Sequence, residues 1–165
     1  RAFETRLEQS GYLAALNRKA VLFPLDSTCN WMLGENLHPG ACLLSEALLC
    51  AGPLNKDRSQ DEQAQRAKAL LMWAFEHQEE LKAYAAKEDG NALKDRILKD
   101  FPELQSCVGS SVAKNRLNKS LRWAVANAIP VLTPQLFVGN SRLCDEDTDL
   151  GFEYALAQLT SGGQP

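Results

Sequence analysis

Residues 129–139 read Ile-Pro-Val-Leu-Thr-Pro-Gln-Leu-Phe-Val-Gly. An apolar approach meets Thr133-Pro134, and a short apolar run follows that ends in a turn at Gly139-Asn140. Proline has no amide to donate to a ladder, so Pro134 suits the first residue of a strand. The bond before a proline also adopts the cis form at modest cost, unlike other peptide bonds. The spacing predicts a strand over Gln135–Val138, a turn at Gly139-Asn140-Ser141 and a returning strand over Arg142–Cys144.

Working outward, Ser110–Ala128 reads as a helix with Leu117, Leu121, Ala124, Val125 and Ala128 as its stripe, ended by Pro130. Upstream, Ala92–Asp100 is a second helix, set off by the break at Gly90-Asn91 and by Pro102. Gln63–Lys87 reads as one long amphipathic helix, with Ala67, Leu70, Leu71, Ala74, Leu81 and Tyr84 sharing much of one face. Asn55–Gln63 is a polar linker. His38-Pro39-Gly40 opens a helix that runs to about Cys50 and stops at Gly52-Pro53. The apolar run Lys19–Leu25 predicts a short buried strand with Pro24 at its end, and residues 2–16 carry a partial helical stripe. Beyond the hairpin, the acidic residues 145–149 lead into a last helix over roughly 149–159, and residues from 160 on form a tail.

The bulk numbers narrow the classes. A chain of 165 residues with 45% hydrophobic and 24% charged residues has room for one globular core. A net charge of −3 gives no footing for nucleic acid, and no apolar run approaches the roughly 20 residues that span a bilayer. The five cysteines, Cys29, Cys42, Cys50, Cys107 and Cys144, fit an oxidising compartment better than the cytosol. Their gaps of 13, 8, 57 and 37 positions contain no close ligand pair, so a metal centre is not expected, and His38 reads as a helix-start residue. Cys42 and Cys50 lie on one helix with about 12 Å of rise between them, too far to bond each other. Cys29 can fold back onto Cys42, and Cys107 can approach Cys50 or Cys29. Cys29, Cys42, Cys50 and Cys107 are therefore candidates for structural disulfides, favoured over a catalytic role.

The order helix, strand, helical block, strand, strand, helix resembles a thioredoxin-like α/β fold with a large helical insertion, as in disulfide oxidoreductases of the bacterial Dsb type. Two stretches carry it: residues 23–51, with Pro-Leu-Asp, then Cys-Asn, His-Pro-Gly-Ala-Cys and Cys-Ala, and residues 133–159. The first looks like domains associated with bacterial homologues of vitamin K epoxide reductase. The resemblance implies a single domain over 1–165, with core segments 1–28 and 129–160, a helical insertion over 38–128 and a tail at 161–165. It implies that Leu132, Thr133 and cis Pro134 bind the substrate chain. The first strand and the Cys-x-x-Cys of that family have no counterpart here and are expected upstream of Arg1, so no catalytic residue is assigned within the chain. The implied activity is thiol–disulfide exchange on a protein disulfide or with a quinone-linked membrane partner, in an extracytoplasmic, periplasmic setting and without a cofactor. The rival expectation is a non-catalytic, disulfide-stabilised interaction module.

Overall fold

A computed structural model describes residues 19–55, 59–87, 91–138, 141–143 and 154. The chain divides into two compact units, one containing Ala20–Pro130 and the other Arg1–Lys19 with Val131–Pro165. The larger unit is helical: α1 (Ala41–Ala51), α2 (Gln60–Glu76), α3 (Gln78–Ala85), α4 (Ala92–Asp100), a 3₁₀ turn (Pro102–Leu104) and α5 (Ser111–Ala126).

Helix α1, Ala-Cys-Leu-Leu-Ser-Glu-Ala-Leu-Leu-Cys-Ala, holds no β-branched residue, glycine or proline, and its composition favours a helix throughout. Cys42, Ser45, Glu46, Ala47, Leu49, Cys50 and Ala51 are all buried, so α1 is wrapped by its neighbours, chiefly α2 and α5. Helix α5 turns Ala113, Leu117, Leu121 and Ala124 inward at spacings of one helical turn. Leu93 and Ile97 of α4, Leu70 of α2 and Leu81 of α3 complete the core with Leu104 and Val108.

Caps set the helix starts. Ser59 accepts from the Glu62 amide while the Glu62 carboxylate accepts from Ser59 N at 2.9 Å, a reciprocal capping box that opens α2 three residues before the predicted start. Ser110 caps α5 through the Ala113 amide. The single helix predicted over Gln63–Lys87 is two helices, because His77 leaves helical geometry at φ −105°, ψ 18°. Its Nδ1 lies 2.9 Å from Trp73 O, and its ring stacks on Trp73. Trp73 is held in turn by Asp100, whose Oδ2 accepts from the indole N–H at 2.7 Å and from Arg96 at 2.8 Å, and Arg96 also donates to both oxygens of Glu80. These contacts tie α2, α3 and α4 together.

The α/β thioredoxin-like expectation is overturned. Among the described residues the strand structure is one two-residue antiparallel pair, β1 (Phe137–Val138) with β2 (Ser141–Arg142), in the register Phe137↔Arg142 and Val138↔Ser141. The hairpin stands where it was predicted but is shorter, and among the described residues no third strand joins it. Residues 19–25 form no strand. The polar groups of this run bond to a loop instead of a ladder: Pro24 O accepts from Asn30 Nδ2 at 2.8 Å, and Leu25 O from the His38 amide at 2.7 Å. The helix predicted over 2–16, that over 149–159 apart from Tyr154, which is helical and exposed, Cys144 and the tail lie outside the described residues.

Candidate functional site

The loop before α1 is organised by one buried carboxylate. Asp26 is 1% exposed, and its Oδ1 accepts from Thr28 N (3.0 Å), Thr28 Oγ1 (2.7 Å) and Asn36 Nδ2 (3.1 Å). Its Oδ2 accepts from the Cys42 amide at 3.2 Å, an N–H of the first turn of α1 that no helical carbonyl serves. Burial pushes the Asp26 carboxyl up, but the hydrogen bonds from Thr28, Cys42 and Gly40 outweigh it and hold it below the ordinary carboxylate value. Asn30, fully buried, closes the loop from the other side by donating to Pro24 O and accepting from Met32 N at 3.1 Å.

This loop brings Cys29 to Cys42, and the two form a disulfide with Cα atoms 5.9 Å apart. Thr28 Oγ1 lies 3.3 Å from Cys42 Sγ. At the other end of α1, Cys50 is bonded to Cys107, with Cα atoms 5.8 Å apart. The chain is thus a disulfide-stabilised domain, and the four candidate cysteines resolve into two bridges that share one helix. Of the alternatives open to Cys107, the Cys50 pairing is the one formed.

The Cys29–Cys42 bridge lies in the wall of an open cavity of about 590 Å³ that also touches Asp26, Asn36, Glu46, Tyr84 and Lys114. Glu46 is 4% exposed and accepts from the Gly109 amide at 2.8 Å. Burial raises its carboxyl above the ordinary value, against the Gly109 N–H and the positive charges of Lys114 and Lys94. Sequence reasoning missed Asp26 and Glu46. The signal for Glu46 was present, since position 46 lies one helical turn from both 42 and 50 and so shares a face with the two cysteines.

The Cys29–Cys42 bridge encloses a loop that displays apolar side chains. Trp31 is 54% and Leu37 48% exposed. The tryptophans divide: Trp73 packs against the core, while Trp31 and Trp123 are exposed. Leu132, Thr133 and Pro134 belong to the other unit and are all exposed, and the Thr133–Pro134 peptide bond is cis. Among the described residues no group of histidine, cysteine and acidic side chains is arranged to hold a metal ion, and no helix is long and apolar enough to cross a membrane. Comparison with protein-family models, curated proteins and solved structures finds no match to the chain.

Proposed function

We propose that the chain is a disulfide-stabilised helical interaction module of an oxidising, extracytoplasmic compartment, and that it presents the loop closed by Cys29 and Cys42 to a protein partner. The observation that carries this reading is the pairing of four cysteines onto both ends of α1, together with exposed Trp31 and Leu37 inside the smaller disulfide loop. Disulfides persist where the surroundings are oxidising. An exposed tryptophan on a loop closed by a covalent bond makes contact area at low ordering cost. The test puts a photo-crosslinking amino acid in place of Trp31 in cells that export the chain. A discrete protein adduct is expected, lost when Cys42→Ser opens the loop. Adducts indistinguishable from those formed by the same probe at exposed Lys99 would refute the module.

A second reading is thiol–disulfide exchange with protein disulfides or with a quinone-linked membrane partner. It is favoured by one observation, the Cys29–Cys42 bridge in the wall of an open cavity. It uses no thioredoxin-like sheet. Catalytic turnover of insulin disulfides with dithiothreitol, abolished by Cys29→Ser, is its expected result. A rate equal to that of dithiothreitol alone would remove it.

A further inference from the structure

Helix α5 differs from its neighbours in charge. Helices α2, α3 and α4 each carry an acid in the first turn, and Arg66, Lys82 and Arg96 on them are paired with Glu103, with Glu79, and with Glu80 and Asp100. Helix α5 carries Lys114, Arg116, Lys119 and Arg122 and no acid, in a chain whose net charge is −3. The sequence holds no Asp or Glu from Leu104 to Cys144. Lys114 lies close enough to the buried Glu46 to act on its carboxyl. Arg116, Lys119 and Arg122 are exposed, and among the described residues none of them is ion-paired. Arg116 and Lys119, like Lys119 and Arg122, stand three positions apart, where side chains of like charge are neighbours and repel. Acids at a helix start and bases at its end would offset this, and α5 has neither. The arrangement works against the helix that carries it, and carboxylates from outside would relieve it.

The cations also lie in a pattern. With Ala113, Leu117, Leu121 and Ala124 turned inward, Val112, Arg116, Lys119 and Trp123 follow one another at steps of four, three and four along the opposite side. The row is about 16 Å long. It opens on Val112, 60% exposed, and closes on Trp123, 47% exposed, with Arg122 beside it. Lys114, Leu117 and Asn118, which line the cavity, belong to another side of the helix. We infer that this row is a docking face for an acidic helix of a partner protein, which lays carboxylates along Arg116, Lys119 and Arg122 and an apolar side chain against each of Val112 and Trp123. Steps of three and four are those at which two helices meet along a seam. Three cations fall short of the clusters of roughly four to eight that hold a protein on anionic lipid. A bilayer or a nucleic-acid duplex also extends past α5 and meets the remainder of the chain, which is more acidic than the whole. A short acidic helix meets α5 alone. A second copy laid α5 against α5 sets cations against cations.

The test titrates the full-length chain, by calorimetry at an ionic strength of about 0.15 M, with a synthetic alanine-based helical peptide. The peptide bears a leucine near each end and glutamates three and four positions apart between them. Binding is expected, and it is expected to weaken about tenfold when Arg116, Lys119 and Arg122 are all changed to Gln, or when the glutamates of the peptide are. The triple variant is expected to unfold in urea at or above the wild-type midpoint, since it loses only repulsion; a lower midpoint would assign the cations to the fold and count against the inference. Changing the same three residues to Glu is expected to reject the glutamate peptide and to accept its lysine counterpart. No binding of the glutamate peptide, equal binding of the glutamine one, or tighter binding to phosphatidylglycerol vesicles or to duplex DNA would overturn the inference. So would a chain that sediments as a dimer and becomes monomeric in the triple Gln variant, which puts a second copy on this face. The loop closed by Cys29 and Cys42 plays no part here, so the Trp31 cross-link and this titration fail independently.

Discussion

Asp26→Asn is the most informative single change, since it keeps the shape of the residue and removes its charge. The carboxylate accepts from Thr28 N, Thr28 Oγ1 and Asn36 Nδ2 on Oδ1 and from the Cys42 amide on Oδ2. An asparagine whose carbonyl takes the Oδ1 position keeps the three donors from Thr28 and Asn36 on a neutral acceptor. Its amide nitrogen then faces the Cys42 N–H, donor against donor. A hydrogen bond to a charged group contributes about 1.5–3 kcal/mol, and neutral ones roughly half of that. Losing one such bond outright and weakening three others, with partial relief from water in the cavity, comes to about 3 kcal/mol. For a chain of this size that lowers the melting midpoint by roughly 10 °C. The assay is urea unfolding followed by helical circular dichroism, with both disulfides intact. The pH dependence gives a second reading of the same cause. The folded-state carboxyl lies below its ordinary value, so its stabilisation is present above about pH 4 and fades as pH falls through the folded value. Asparagine has no such loss, so the two proteins are expected to converge in stability on acidification. A gap below about 0.5 kcal/mol at pH 7, or one that does not narrow in acid, refutes the role assigned to Asp26.

Glu46→Gln keeps an acceptor for Gly109 and removes a carboxyl whose pKa is raised by burial. Wild type loses stability as pH rises through the window just above the ordinary carboxylate value, so the variant is expected to be the more stable at pH 7 and to lose that advantage in acid, as measured by urea midpoints. Gly40→Ala places a Cβ 2.5 Å from Leu93 Cδ2 and 2.9 Å from Ala85 Cβ, at a φ of +87°. A loss of about 2–3 kcal/mol is expected from thermal unfolding, combining overpacking with left-handed strain. Ser59→Ala removes the cap of α2 and is expected to cost about 1 kcal/mol in the same measurement. Replacing Cys50 and Cys107 together by serine opens a loop with a sequence separation of 57, against 13 for the Cys29–Cys42 pair. The chain-entropy relation gives about 4 kcal/mol for the larger loop and about 3 for the smaller, so that order is expected in chemical denaturation.

Helix α5 was legible because its stripe of Leu117, Leu121 and Ala124 is decided by its own periodicity, and α4 because Gly90-Asn91 and Pro102 bracket it. The ban on a Cys42–Cys50 bond followed from helical rise alone, and Cys29 reaching Cys42 was among the pairings it left. The run at 19–25 was not legible. Its apolar composition suits a strand, yet its backbone partners are Asn30 and His38, which local pattern does not reveal. The error then propagated, since the thioredoxin-like order needed that strand. The break at His77 escaped notice because it comes from a side chain reaching its own helix, with Trp73, Phe101 and Arg96 gathered around the same ring system. Burial of Asp26 and Glu46 was hidden because charged residues are expected outside until their donors are known. The donor to Glu46, the Gly109 amide, lies 63 positions away.

Both bridges meet on α1, and each makes the backbone that it spans covalently redundant. A protease that cuts once anywhere between Cys50 and Cys107, or once between Cys29 and Cys42, yields two pieces that stay attached through sulfur. Such a nicked molecule keeps its whole mass plus one water until reductant is added. In a compartment rich in proteases, a single cut in the surface helices α2, α3 or α4 would therefore not release a fragment, and the segments on either side would remain tethered to the buried helix at the centre of the unit.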